Sequence, residues 1–293
     1  ACAERRIPVV MTLHNYRLLC PGAFLMRDGQ VCTRCVASTP YTAVLHRCYR
    51  GSALGSAVAA RVVAAHRTRG TWLVKVHRFI ALTEFGRTLF IEGGLPADWI
   101  VVKPNFCSPV PAPQQGRRSG ALFVGRLSKE KGVPTLLSAW RSVPHALRLA
   151  GAGPCLASED PGSNVAFLGP LDPEGVACEM GKARFLVMPS EWFEGLPMVI
   201  IEAFSAGLPI LTSRLGAMAE IVRDGVTGLH FEPGDPHNLA AKASWLVEHP
   251  DECQRMGMNA RAEYERRYTA DRNYERLMDV YQQAIDEARK QYA

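Results

Sequence analysis

Apolar residues follow two alternating patterns along the chain: short uninterrupted runs, and longer stretches in which they return every third or fourth position. The runs read as buried strands and the periodic stretches as helices with one apolar face. Residues 7–13 form the first run, which ends at His14. A cysteine-rich loop to about Tyr49 follows, then a helix over 52–68 dense in alanine, valine and arginine. Strands are predicted over 79–82 and 100–102, with a helix over 84–92 between them. After residue 120 the alternation restarts, with strands over 121–124, 147–150, 165–168, 185–188 and 209–212. Helices are predicted from about Lys131, over 173–180, around 198–206 and from 236 to the end. Such repetition predicts parallel sheets covered by helices on both faces, with ligands gathering at the carboxyl ends of the strands.

The break in the pattern is residues 104–120, PNFCSPVPAPQQGRRSG, with four prolines, three side-chain amides and no periodicity. It reads as a linker. The expected organisation is a first domain over 1–104, a linker over 105–119, a second domain over 120–270 and a terminal helix over 271–293. A length of 293 residues suits two domains. The first strand-like run lies only a few residues after Ala1, so the first domain is expected to be incomplete.

Composition adds exclusions. With 47% hydrophobic and 21% charged residues the chain resembles ordinary globular proteins, not disordered ones or coiled coils. It has no uncharged apolar stretch of about 18 residues and no basic segment leading into an apolar one, so neither a membrane span nor a signal peptide is expected. A cytoplasmic location is expected. Charge is uneven: residues 1–120 hold 16 Lys or Arg against 5 Asp or Glu, a net of +11, while the remainder nets −5. The basic half should face something anionic. Recognisable nucleic-acid motifs are absent, which leaves phosphorylated substrates or an anionic membrane surface at the inner face.

Two segments carry candidate chemistry. In Glu194-Gly-Leu-Pro-Met-Val-Ile-Ile-Glu202, a proline in the first helical turn would leave Glu194 in the preceding loop and put Glu202 more than a turn inside. Glu194 can accept hydrogen bonds from a ligand's hydroxyls, Gly195 permits close approach, and the N–H groups near Pro197 and Met198 could cradle a phosphate. Glu202 can hold a vicinal diol such as a ribose. The second segment, Gly125-Arg126-Leu-Ser-Lys-Glu-Lys131-Gly132, follows a strand. Arg126 offers a bidentate fork and Lys131 a point charge, which suits the two phosphates of a nucleoside diphosphate leaving group. Neither a Walker A loop nor a G-x-G-x-x-G fingerprint is present.

Four stretches, HNYRLLCPGAFLMRDG, FVGRLSKEKG, PSEWFEGLPMVIIEAFSAGLPILTS and GAMAEIVRDGVTGLHFEPGD, together resemble the retaining glycosyltransferases of family four. The resemblance covers nearly the whole chain. It implies an α/β, GT-B fold of two Rossmann-like, doubly wound parallel-sheet domains, the second holding a nucleoside-diphosphate sugar and the first an acceptor. It also implies roles: Glu194 on the donor sugar, Glu202 on the ribose, Arg126 and Lys131 on the diphosphate, Leu196 to Val199 at the phosphates, and the backbone of Leu168, Gly169 and Pro170 at the base. His14, at a strand end, resembles the family's histidine near the reacting sugar carbon. The last helix is expected to pack back on the first domain.

The implied reaction transfers a sugar, with retention, to a sugar or lipid-linked acceptor hydroxyl in polysaccharide or glycolipid assembly. Arg126 and Lys131 would stabilise the departing diphosphate by several kcal/mol, on the order of 3 per group. No D-x-D tripeptide is present, so no catalytic metal is expected. Cys20, Cys32, Cys35 and Cys48 are spaced C-x11-C-x2-C-x12-C among nine cysteines in all. They are read as a structural zinc site, a redox pair or unbonded thiols. Two rival functions stay open: a non-catalytic nucleotide or carbohydrate binding module, and a nucleic-acid binder driven by the basic half.

Overall fold

A computed structural model describes residues 2–109, 118–157 and 162–292. The chain divides into two compact units, Ala1–Asn105 together with Asp271–Ala293, and Phe106–Ala270. Of the expected linker, residues 110–117 lie outside the described residues.

The first unit is built on a parallel sheet of three strands, β1 (Val10–Leu13), β4 (Arg78–Ala81) and β5 (Ile100–Val102), in the order β1-β4-β5. The register pairs Val10 with Arg78 and Phe79 with Ile100. β1 is shorter than the predicted 7–13. Pro8 has no N–H to give a ladder, and Ile7 is 47% exposed. The cysteine-rich stretch is not a bare loop. It holds a small antiparallel pair, β2 (Met26–Arg27) with β3 (Gln30–Val31), and two short helices, Arg34–Ala37 and Thr42–Leu45. Elements this short bury too few residues to show a period. The helix Ala53–Thr68 starts where Ser52 Oγ accepts from Gly55 N at 3.0 Å, an N-cap that satisfies one otherwise orphaned amide. The terminal helix is Ala270–Tyr292, from which Glu287 pairs with Arg78 at 3.4 Å.

The second unit carries six parallel strands: β6 (Ala121–Val124), β7 (Leu147–Ala150), β8 (Val165–Gly169), β9 (Phe185–Met188), β10 (Ile210–Ser213) and β11 (Gly228–Phe231). Their order is β11-β10-β9-β6-β7-β8. Every residue of β9 and β10 is buried, as expected of central strands covered on both faces. Leu136, Leu137 and Trp140 of the helix Val133–Trp140 pack with Phe123, Leu149 and Phe185 in one core. Burial of each is worth about 1.5–3 kcal/mol. β11 was not predicted. It is four residues long between turn residues, and it holds the sheet edge because Gly228 lets its backbone lie against β10; a Cβ there would fall 2.0 Å from Ile210 O. Among the described residues, no helix is long and apolar enough to cross a membrane.

Candidate functional site

The strand order of the second unit defines the site before any side chain is considered. From β6 the chain winds outward through β7 and β8, then crosses back to β9 on the other side of β6. The direction of winding therefore reverses between β6 and β9. At such a reversal the loops leaving the two adjacent strands diverge to opposite faces and leave a crevice at the carboxyl edge of the sheet.

The β6 loop fills one side of this crevice. A 3-10 turn, Lys129–Lys131, ends at Gly132, where φ is +70°, and the helix Val133–Trp140 begins there. The predicted helix from about Lys131 is thus split in two. Gly132 is the cause: the loop passes so close to the end of β9 that a Cβ would lie 1.8 Å from Pro189 O. This contact carries Lys131 into reach of the β9 loop, and Glu191 N donates to Glu130 O at 2.9 Å to fasten the two loops together. Thr135 Oγ1 adds a 2.5 Å bond to Glu191 Oε1.

Glu194 lies at the centre, 6% exposed. Its Oε1 accepts from Lys131 Nζ at 2.7 Å, Ser190 Oγ at 2.8 Å and Trp192 Nε1 at 2.8 Å. A buried carboxylate needs such a set, because an unpaired buried charge is costly. Lys131 Nζ also stands 5.5 Å from the centre of the Trp192 ring, a cation–π contact. An ammonium has three N–H donors and the Glu194 bond uses one. Ser190 and Trp192 were not read from the sequence; the signal was the S-x-W-x-E spacing in PSEWFEG, which places both donors within one loop of the carboxylate.

The other expected residues fall on the same sheet edge or the helix that leaves it. Gly125 follows β6, and its N donates to Ala150 O. Arg126 is exposed and paired with Glu130. Burial acts to raise the Glu130 pKa, but backbone and Ser128 hydrogen bonds and Arg126 outweigh it, so the carboxyl sits below its ordinary value. Leu168 and Gly169 close β8, with Pro170 exposed just beyond. Gly195 and Leu196 lead to Pro197, whose φ of −67° and ψ of 114° make it the residue before the helix Met198–Ser205, whereas the sequence predicted it in the first helical turn. Its ψ is extended, so the amides of Met198 and Val199 open the helix without helical acceptors. Glu202, half-buried, lies one turn inside. Burial pushes its carboxyl pKa up. Its neighbour Cys107 has a thiol pushed up to about 11, chiefly by burial and further by Glu202, against a hydrogen bond with Ser205.

In the first unit, His14 follows the last residue of β1 and is exposed at an apolar cavity of about 740 Å³. Cys20 is buried, while Cys32, Cys35 and Cys48 are half-buried and all four are unbonded. Burial raises the Cys35 and Cys48 thiols, and the neighbouring thiols raise them further. Arg67 ties this region together by donating to Leu19 O at 2.9 Å, Cys35 O at 2.8 Å and Ser38 O at 3.0 Å. The zinc reading of Cys20, Cys32, Cys35 and Cys48 finds no support: among the described residues, no group of three or more His, Cys, Asp or Glu could hold a metal ion.

This fold and sheet-edge arrangement define a class, the α/β proteins of GT-B fold. Anabaena HepE, solved with UDP and glucose, matches with a TM-score of 0.69 at 19% identity, over 95% of this chain and 72% of that one. A sucrose-phosphate synthase from Thermosynechococcus elongatus matches at 0.62 and 21% identity, over 71% of this chain and 58% of that one. The family described as Glycosyl transferases group 1 matches residues 113–263, and the chain belongs to that family. An uncharacterized glycosyltransferase of Methanocaldococcus jannaschii is 29% identical over 178 residues, 59% of this chain and 50% of the relative. A D-rhamnosyltransferase of Pseudomonas aeruginosa is 31% identical over 157 residues, 51% of this chain and 41% of the relative. The chain spans about half the length of these curated relatives or less.

Proposed function

We propose that this chain takes a sugar from a nucleoside-diphosphate sugar and passes it, with retention of configuration, to an acceptor hydroxyl. The second unit is the donor side and the first unit the acceptor side. The observation that carries this reading is Lys131 held 2.7 Å from the buried Glu194 in the crevice between β6 and β9. A fixed cation beside a fixed carboxylate suits a ligand with a diphosphate next to a polyhydroxyl ring. Lys131 and Arg126 take the charge that grows on the leaving diphosphate, Glu194 takes sugar hydroxyls, and the amides at Gly195 to Val199 face phosphate oxygens. Glu202 takes the ribose diol, and the backbone at Leu168, Gly169 and Pro170 takes the base. His14 belongs to the acceptor-side unit, and a role for it at the reacting sugar carbon is part of the proposal.

No step in this scheme uses a metal ion, so the reaction is expected to survive chelation. The relatives support the donor class, since HepE was solved with UDP-glucose and the M. jannaschii and P. aeruginosa proteins are glycosyltransferases by description. A hexosyl donor and a role in polysaccharide or glycolipid assembly are the fuller form of the proposal. The test is thermal shift with a panel of nucleoside-diphosphate sugars, followed by NMR assignment of the anomeric configuration of any product. A shift with at least one donor that is absent in Arg126→Ala is expected. A panel with no shift, or an inverted product, contradicts the reading.

A further inference from the structure

We propose that Trp192 is a positioning residue of the donor site: its indole N–H keeps Glu194 bonded while Lys131 is drawn from that carboxylate to the diphosphate. The role rests on the function proposed above, and the experiment below separates failure of the one from failure of the other. Three donors converge on a single oxygen, Glu194 Oε1: Lys131 Nζ at 2.7 Å, Ser190 Oγ at 2.8 Å and Trp192 Nε1 at 2.8 Å. A carboxylate oxygen offers two lone pairs. It holds one donor more than it needs, so one can loosen without stranding a buried polar atom.

Lys131 is the donor that can loosen. Its side chain is 22% exposed, whereas Glu194 and Ser190 are buried. An indole N–H donates and cannot accept, and it sits on a rigid ring; the ammonium carries three N–H groups on a flexible stem. Two of those groups are left for a ligand, yet the bond to Glu194 ties Nζ to one spot. Loosening it lets the ammonium close on the diphosphate. The Trp192 ring limits how far the ammonium strays, because Nζ stands 5.5 Å from the ring centre, within reach of its negative face. One side chain thus serves both partners, with its N–H on the carboxylate and its face beside the cation. The frame around them does not depend on Lys131: Glu191 N donates to Glu130 O, and Thr135 Oγ1 donates to Glu191 Oε1, so the β6 and β9 loops stay joined. Without the indole N–H, Oε1 keeps two donors, one of them Lys131. The buried carboxylate then competes with the diphosphate for the ammonium.

The experiment titrates the intact chain with UDP, GDP and ADP by calorimetry, since each carries the diphosphate and no sugar. The tightest of the three is carried to Trp192→Phe, Glu194→Gln and the double variant W192F/E194Q, with circular dichroism as the check on folding. Trp192→Phe keeps a ring and loses the N–H, and is expected to bind about fivefold more weakly. The double variant is expected to return to within about twofold of the unaltered chain, because a neutral amide competes poorly for the ammonium. A merely structural role for Trp192 gives no such recovery. Proton NMR of the unaltered chain supplies a second readout. Among the signals of the five tryptophans, the indole N–H absent from Trp192→Phe or Trp192→Tyr is expected to move downfield on saturation with nucleotide, as fewer donors share Oε1. Unchanged affinity in Trp192→Phe, a double variant as weak as the single one, or an indole signal that stays or moves upfield overturns the proposal and leaves the diphosphate site standing. Binding of none of the three nucleotides by the unaltered chain overturns the donor reading, and the role of Trp192 with it.

Discussion

Replacing Lys131 with methionine removes a cation and keeps most of its apolar stem. The carboxylate it leaves behind, Glu194, is 6% exposed and retains only the neutral donors Ser190 and Trp192. Breaking a fully buried pair from one side costs about 3–5 kcal/mol. Here the Lys131 side chain is 22% exposed and two of three hydrogen bonds survive, which brings the expected loss down to about 2 kcal/mol. For a unit of this size that is a fall in Tm of about 4–8 °C. Thermal unfolding by circular dichroism measures it, with Glu194→Gln added in the same background. Neutralising the stranded carboxylate should return stability, so the double variant is expected to melt above Lys131→Met alone. Donor binding should remain absent in both, because the amide does not restore the ammonium. A single variant that melts with the unaltered protein, or a double variant no better than the single, would refute the reasoning about this pair.

Other substitutions separate binding from stability. Arg126 is exposed and its pair with Glu130 is of the surface kind, worth about 0.5 kcal/mol; Arg126→Ala should leave Tm within a degree or two while weakening donor affinity at least tenfold by calorimetry. For Glu202, burial raises the folded carboxyl pKa above its ordinary 4.5, so the folded state favours the protonated form and this group's contribution to stability falls as pH rises through that window. Glu202→Gln should therefore match or exceed the unaltered Tm at pH 7, with a flatter pH profile, yet lose about tenfold in donor affinity if the carboxylate holds a diol. Arg67 makes three bonds with a planar fork that lysine does not reproduce; Arg67→Lys should cost about 2–3 kcal/mol and speed alkylation of Cys35, whereas unchanged alkylation would show that the guanidinium does not hold the loop.

Much of this site was legible in the chain. The second unit shows six strands of which five were readable as apolar runs, because central parallel strands are apolar on both faces and need no alternation to be recognised. Lys131 and Glu194 were singled out by type and motif, although only the sheet order explains why residues 63 apart in sequence meet. What stayed hidden depended on close backbone approach or on contacts distant in sequence. Gly228 reads as a turn residue until β10 is placed beside it. Gly132 reads as part of a helix start until Pro189 comes within 1.8 Å of where its Cβ would be. The spacing of Cys20, Cys32, Cys35 and Cys48 leaves a zinc site, a redox pair and unbonded thiols open, and it gives no sign that Arg67 bonds three carbonyls of that region 29 to 48 residues away. Pro197 was placed one residue too far into its helix, since a proline's fixed φ serves the residue before a helix as well as its first turn.

The most direct test is isothermal titration of the intact chain with UDP-glucose and the other common nucleoside-diphosphate sugars, run beside Lys131→Met. Saturable heat with at least one donor, abolished in the variant and reduced steeply by added salt, is the expected result. A flat titration with every donor, or one that Lys131→Met leaves unaltered, would contradict a diphosphate site between β6 and β9.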